Sequence, residues 1–266
     1  MSVSVVLPAK NESAALGLTI RGIRQVLPDA EVIVVNDGST DDTVEVAGIA
    51  GARVVSHPYS KGNGAAIKTG ARAAAGEVIV FMDADGQHDP ADIPRLLASL
   101  AQSHDMVVGA RQKGSQASMG RGLANGLYNR LASWMTGHKV EDLTSGFRAV
   151  RADKFREFLY LLPNGFSYPT TSTMAFFRAG YSVAYVPIHA AKRLGKSHIG
   201  YSGSDHDFNP PALVIRGQIT ISTHQLRQIG VDNPKADAGP QAEPVEGVVR
   251  LCQPLVRPAA IVAALE

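Results

Sequence analysis

Val78-Ile79-Val80-Phe81-Met82-Asp83-Ala84-Asp85-Gly86-Gln87-His88-Asp89-Pro90 is an apolar run that breaks abruptly into carboxylates. An apolar run this short, closed by Asp, Gly and Pro, predicts a buried strand over 78–82 and a loop at its carboxyl end. Residues i and i+2 of an extended chain point to the same side. Asp83 and Asp85 are therefore expected to converge on one hard cation, Mg²⁺ or Mn²⁺, which takes oxygen ligands and shares its shell with phosphate. A solvated turn with no ligand is the competing reading of these residues alone.

Upstream the same grammar repeats. Val3 to Leu7 reads as a strand stopped by Pro8, Val32 to Val35 as a second, and Arg53-Val54-Val55 as a third. Between them, residues 12–26 have helical spacing, with Leu16, Ile20, Ile23 and Leu27 on one stripe. Ser39-Thr40-Asp41-Asp42 is a helix-start signal and 64–75 is Ala-rich. Downstream, 90–100 reads as a helix, Met106-Val107-Val108 as a strand, Leu123, Leu127 and Leu131 as one helix stripe, and Ser182 to Pro187 as another strand. Apolar strands alternating with helices predict an α/β fold: a Rossmann-like, mostly parallel sheet flanked by helices. Ligands of such sheets bind beyond the carboxyl ends of the strands, and Asn36-Asp37-Gly38 and Asp83-Ala84-Asp85 both sit at such ends.

Bulk composition excludes several classes. With 45% hydrophobic and 19% charged residues the chain carries a real core. A net charge of +2 is not the basic excess of a nucleic-acid binder. The single cysteine, Cys252, rules out an intrachain disulfide and fits a reducing, cytoplasmic setting. The first residues read as a strand rather than a secretory leader. No apolar stretch approaches the roughly 20 residues of a spanning helix, so any encounter with a membrane is expected at its surface. From about Asp205 the character changes, and 233–247, rich in Pro, Ala, Gly and acids, reads as linker or disorder. Two regions are expected: a domain over 1–204 and an atypical tail over 205–266.

Three further loops carry polar chemistry. Leu7-Pro8-Ala9-Lys10-Asn11-Glu12 reads either as a helix cap through Asn11 or Ser13 or as a nucleoside contact. Asp37 is placed to accept from a base N–H or a ribose hydroxyl. Lys61-Gly62-Asn63-Gly64 precedes a helix, where free amides and the helix dipole favour an anion. Each segment is equally readable as turn chemistry. His57, His88, His138, His189 and His198 have no metal-ligand spacing and read as loop or core residues, with His88 near the carboxylate pair. Trp134 is expected to pack, a lipid interface being the alternative, and Arg130 to be a solvated charge.

In order and spacing, VVLPAKNE (5–12), VVNDGSTDDT (34–43), KGNGAAIKTG (61–70) and VIVFMDADGQHDP (78–90) resemble glycosyltransferase family 2, the inverting nucleotide-sugar transferases of GT-A fold. The resemblance spans roughly residues 1–200. DLTSGFR (142–148) and RLGKS (193–197) resemble its polyprenyl-phosphate branch, which includes dolichyl-phosphate mannosyltransferase. The resemblance implies transfer of a sugar from a nucleotide-diphosphate sugar, GDP-mannose or a UDP-hexose, to a polyprenyl phosphate by a protein peripheral to the inner face of the cytoplasmic membrane. It implies that Pro8, Glu12 and Asp37, with Lys61 and Gly64, hold the nucleotide-sugar. Asp83, Ala84 and Asp85 would face its diphosphate, with Gln87 beside the metal. Arg111, Arg121, Arg130, Arg193 and Lys196 are the candidate cations for phosphate, since Arg grips phosphate bidentately, with the solvated-charge reading favoured for Arg130. Asp142 is a base if the acceptor is a hydroxyl, or an orienting group if it is a phosphate.

Two departures stand out. Many relatives carry an acid in the segment that is Tyr168-Pro169-Thr170-Thr171-Ser172-Thr173 here, and this chain has no carboxylate between Glu157 and Asp205. The tail also lacks the amphipathic continuation common in the family. A soluble or saccharide hydroxyl acceptor and a non-catalytic nucleotide-sugar binder are the competing readings. The former lacks the QxxRW signature of processive synthases, and the latter has no need of both DAD and RLGKS.

Overall fold

The computed structural model describes residues 1–112 and 129–191 in full, and the backbone of 214–215 and 218–219. The chain divides into two units, Met1–Asn209 and Pro210–Glu266. In the second, the described residues are a short antiparallel ladder, β8 (Val214–Ile215) with β9 (Gln218–Ile219).

The first unit is a seven-stranded sheet, with β1 Val3–Ala9, β2 Glu31–Asn36, β3 Arg53–Ser56, β4 Val78–Phe81, β5 Met106–Arg111, β6 Arg148–Arg151 and β7 Val183–Ile188. The order is β3-β2-β1-β4-β6-β5-β7. Only β6 runs antiparallel, wedged between β4 and β5. The mostly parallel, helix-flanked sheet expected from the sequence is present. β6 was not foreseen. Its four residues include two arginines, and Arg148 occupies a core position that normally announces itself with an apolar side chain.

Period-two alternation feeds two cores. Val5, Leu7, Val32, Val34, Val78, Val80, Val107 and Ala149 face α1 (Ser13–Val26), α2 (Thr43–Ile49) and α4 (Ile93–Ala101). Val6, Ile33, Val35, Ile79, Phe81, Met106, Val108 and Val150 face α3 (Asn63–Ala73), α6 (Ala152–Arg156) and α7 (Tyr168–Arg178). A smaller cluster of Ala132, Val140, Leu143 and Met174 roots the helix at residues 129–136, here α5, against α7. The Leu123 and Leu127 part of the predicted stripe lies outside the described residues. α7 itself was not foreseen. Its first two turns, Tyr168 to Thr173, hold three threonines, which are poor helix formers, and tertiary packing of Phe176 and Met174 carries it.

Two boundaries moved. β1 runs through Pro8 instead of stopping at it. Pro8 lies beyond the last residue, Val6, that pairs with β4, so its missing N–H leaves no rung unmade. β4 ends at Phe81, one residue early. Asp83-Ala84-Asp85-Gly86 is consequently a turn, with Gly86 at φ +76°, and not an extension of the strand.

Candidate active site

The carboxyl ends of β1, β2, β4 and β5 and the start of the antiparallel β6 share one sheet edge. The loops after β1 and β2 are laced together there. Asn11, at φ 54°, accepts the Thr40 amide at 2.8 Å. Asp41 accepts the amides of Ser13 (3.2 Å) and Thr43 (3.1 Å), so it serves the starts of both α1 and α2. Glu12 is buried; its amide donates to Thr43 Oγ1 at 3.0 Å and its carbonyl accepts from Ala15 and Leu16. Neither Asn11 nor Ser13 caps α1 with its side chain.

Asp37 is the hub of the second loop. Oδ1 accepts from His57 Nδ1 (2.7 Å) and the Lys61 amide (2.8 Å). Oδ2 accepts from Ser60 Oγ (2.8 Å) and the Gly62 amide (2.9 Å). His57 in turn meets Thr69 Oγ1 at 2.9 Å. Burial by itself would raise the Asp37 carboxyl; the hydrogen bonds from His57, Lys61, Ser60 and Gly62 outweigh it and hold the group below the usual carboxylate range. The four acceptor positions expected to meet a base or ribose are filled by the chain's own donors.

The start of α3 departs from the anion-cradle expectation in the same way. The amides of Gly64 and Ala65 donate to Gly165 O (3.2 Å) and Asn164 O (3.1 Å). Glycine at 62 and 64 serves close packing instead. Gly62 sits at φ +101°, and a Cβ on Gly64 would lie 2.1 Å from Pro163 O. The Lys61 ammonium lies 5.4 Å from the centroid of the Tyr59 ring.

The turn after β4 is built otherwise. Ala84 is core, and Asp85 is buried, accepting the Gln87 amide at 3.0 Å. Gln87 O receives the Ala191 amide at 2.9 Å, which anchors the chain two residues before Arg193. The Asp83 side chain is 38% exposed. Its amide donates to His88 Nδ1 at 3.3 Å, so the 3.7 Å approach of that nitrogen to Asp83 Oδ2 is not an ion pair while this bond stands. His88 stacks on Phe147 with centroids 5.0 Å apart. A Cβ on Gly146 would sit 3.3 Å from both Asp83 carboxylate oxygens. The DLTSGF loop therefore abuts the Asp83 turn.

That loop holds the first of two arginines. Arg111, at the end of β5, grips Asp142 bidentately: Nε to Oδ2 at 2.8 Å and Nη2 to Oδ1 at 2.9 Å. Nη2 also reaches Thr144 Oγ1 at 2.7 Å. The Asp142 hydrogen bonds raise the Arg111 guanidinium against burial. Burial would raise Asp142, but Arg111 and the Arg111 and Thr144 amides hold it below the usual range. The second arginine, Arg148, is fully buried. It donates to Ser172 Oγ (2.8 Å), Thr173 Oγ1 (3.3 Å), Pro169 O (3.1 Å) and Ser145 O, and none of these partners is a carboxylate. Its Nε is unpartnered, and burial pushes its guanidinium down from the ordinary value. The hydroxyls holding it come from the first two turns of α7. The sequence reading named Arg148 only within a motif; a charged residue between Phe147 and the apolar Ala149-Val150 was the available signal.

Among the described residues no three His, Cys, Asp or Glu side chains gather as a protein-only metal cage. Mg²⁺ or Mn²⁺ bound with phosphate needs only one or two carboxylates, the rest being phosphate and water oxygens. Half-exposed Asp83 beside Asp85 fits that oxygen-only donor set. Arg121, Arg193 and Lys196 lie outside the described residues.

Residues 4–159 match the family model described as glycosyl transferase family 2. An undecaprenyl-phosphate mannosyltransferase of Micrococcus luteus is 33% identical over 215 residues, 74% of this chain and 87% of that protein. A dolichyl-phosphate hexose transferase of Haloferax volcanii is 30% identical over 199 residues, 74% and 86% of the two chains. Among solved structures, glucosyl-3-phosphoglycerate synthase of Mycobacterium tuberculosis, in complex with Mn²⁺, UDP and glucosyl-3-phosphoglycerate, superposes with a TM-score of 0.61. It is 26% identical, covering 74% of this chain and 73% of that one.

Proposed function

This chain belongs to glycosyltransferase family 2, and from that premise we propose that it transfers a hexose from a nucleotide-diphosphate sugar to a polyprenyl phosphate. The donor is GDP-mannose or a UDP-hexose, and the reaction takes place at the cytoplasmic face of a membrane. The observation that carries the acceptor assignment is the state of Asp142. A hydroxyl acceptor needs a general base near neutral pH. Asp142 is already clamped on Arg111 and held below the usual carboxylate range, so it is a poor proton acceptor. A lipid phosphate arrives ionised and needs no base. It needs a cation held in place, which the Arg111–Asp142–Thr144 unit supplies. The two N–H groups of Arg111 Nη1 have no partner among the described residues and suit a phosphate oxygen.

In the proposed step a phosphate oxygen of the lipid attacks the anomeric carbon. The bond from that carbon to the donor diphosphate breaks, inversion follows, and nucleoside diphosphate leaves with the electron pair. Asp83 and Asp85, with Gln87 beside them, would hold Mg²⁺ or Mn²⁺, which when bound offsets charge on the leaving diphosphate. Pro8, Glu12 and the Asp37 loop form the nucleoside side, Asp37 acting by holding the 57–62 segment in shape. Arg121, Arg193 and Lys196 are assigned as further phosphate cations; the anchoring of Ala191 on Gln87 supports this for the latter two.

The test is incubation of the protein with labelled GDP-mannose or UDP-glucose, Mn²⁺ and undecaprenyl phosphate. Label extracted into organic solvent as a sugar phosphate of the lipid is expected. Label appearing only on a water-soluble acceptor such as phosphoglycerate would overturn the acceptor assignment.

A further inference from the structure

We propose that the crest of α5, Leu131 and Trp134 with Arg130, is the face by which the protein docks on an anionic lipid bilayer. The proposal deepens the lipid-acceptor reading above and stands or falls by a separate measurement. The sequence expectation that Trp134 packs is not met, since its side chain is 73% exposed and Leu131 is 45% exposed. The two lie three residues apart and so share one side of the helix. The adjoining side is spoken for: Ala132 and Met135 pack with Val140, Leu143 and Met174.

Single exposed apolar residues are ordinary; the surroundings of this pair decide its occupant. Arg130 is exposed and has no ion pair among the described residues. His138 and Lys139 are exposed in the turn after the helix, Lys139 paired with Glu141 at 2.8 Å. An indole beside cationic side chains suits the headgroup boundary, where the ring meets acyl chain and the N–H stays wet. Exposed Val44 and Ile49 on α2 form the contrasting case, because exposed Asp42 and Glu45 beside them would repel an anionic surface.

The face is also built into the site. Asn129 Nδ2 donates to Glu141 O at 2.6 Å, the Leu143 amide donates to Asn129 Oδ1 at 3.1 Å, and the Val140 amide donates to Ser133 Oγ at 2.9 Å. These bonds tie α5 to the segment carrying Asp142.

Trp134 is the only tryptophan in the chain, so its emission reports this face alone. The full-length protein is mixed with phosphatidylcholine vesicles, with or without phosphatidylglycerol, carrying brominated acyl chains. A blue shift and quenching with the anionic vesicles, reversed by salt, are expected. The double variant Leu131→Ala, Trp134→Ala should lower vesicle co-sedimentation about tenfold through lost apolar burial, and Ile49→Ala should not. Co-sedimentation with unshifted Trp134 emission, or no association with anionic vesicles, would overturn the proposal. Quenching without any sugar transfer to lipid phosphate would leave docking intact and sink the acceptor reading instead.

Discussion

Asp37 and Asp83 occupy nearly the same place in the chain's grammar. Each follows an apolar parallel strand, sits at the same sheet edge and stands shortly before a glycine with positive φ. Their surroundings divide them. Asp37 is buried, and four donors of its own chain fill both oxygens. Asp83 is half-exposed, with a histidine ring at 3.7 Å and a bare glycine against its carboxylate. One carboxylate is filled by its own chain; the other is open to solvent. Strand-end position nominates both residues, and the count of satisfied lone pairs tells them apart.

Substitution at Asp83 should break the comparison most visibly. Asp83→Asn is expected to cut sugar transfer by roughly 10²–10³-fold, as for loss of a group facing developing charge. Its thermal unfolding should stay within about 0.5 kcal/mol of wild type, because the side chain is half-exposed. Asp37→Ala should behave oppositely, costing about 3 kcal/mol in urea unfolding as the Lys61 and Gly62 amides lose their acceptor. Equal stability losses in the two variants would erase the distinction.

Gly64→Ala sharpens the same point on the nucleoside side. If that glycine exists for packing against Pro163 and Gly165, the extra methyl should destabilise by about 3 kcal/mol, read by denaturant titration. A smaller effect is expected for Arg111→Lys. It keeps the charge and loses the fork, so turnover should fall about tenfold in an assay with lipid phosphate. The smallest effect concerns pH. The folded-state carboxyl of Asp37 is depressed, so its stabilisation is fully present above its unfolded value of about 3.9 and fades as pH falls through the lower folded value. Asp37→Asn should flatten the acid limb of stability below about pH 4, and leave the profile above it parallel to wild type.

How much of this was legible follows from what each residue does. The parallel strands β1, β2, β4 and β5 were readable because a strand buried on both faces is largely apolar, and the edge strand β3 from its Val54-Val55 pair alone. β6 and α7 were not. Their shared feature is Arg148, a buried cation tied to Ser172 and Thr173, and neither strand nor helix patterning anticipates a guanidinium in a core. The DAD motif was read as an extended strand end, whereas Asp83 and Asp85 come from a turn. Asp142 was readable as two alternatives, and its contact with Arg111 was not legible in the sequence. Trp134 was misjudged because helical spacing cannot say which side of a short helix finds a partner.

The most direct measurement is calorimetric titration of GDP-mannose, UDP-glucose and UDP-GlcNAc into wild type, Asp83→Asn and Asp37→Asn, each with and without Mn²⁺. The account predicts Mn²⁺-dependent binding of one donor by wild type. Asp83→Asn should lose the Mn²⁺ dependence, and folded Asp37→Asn should keep it at weakened affinity. Donor binding by Asp83→Asn with its Mn²⁺ dependence intact would contradict the assignment of Asp83 as the ligand-bearing carboxylate.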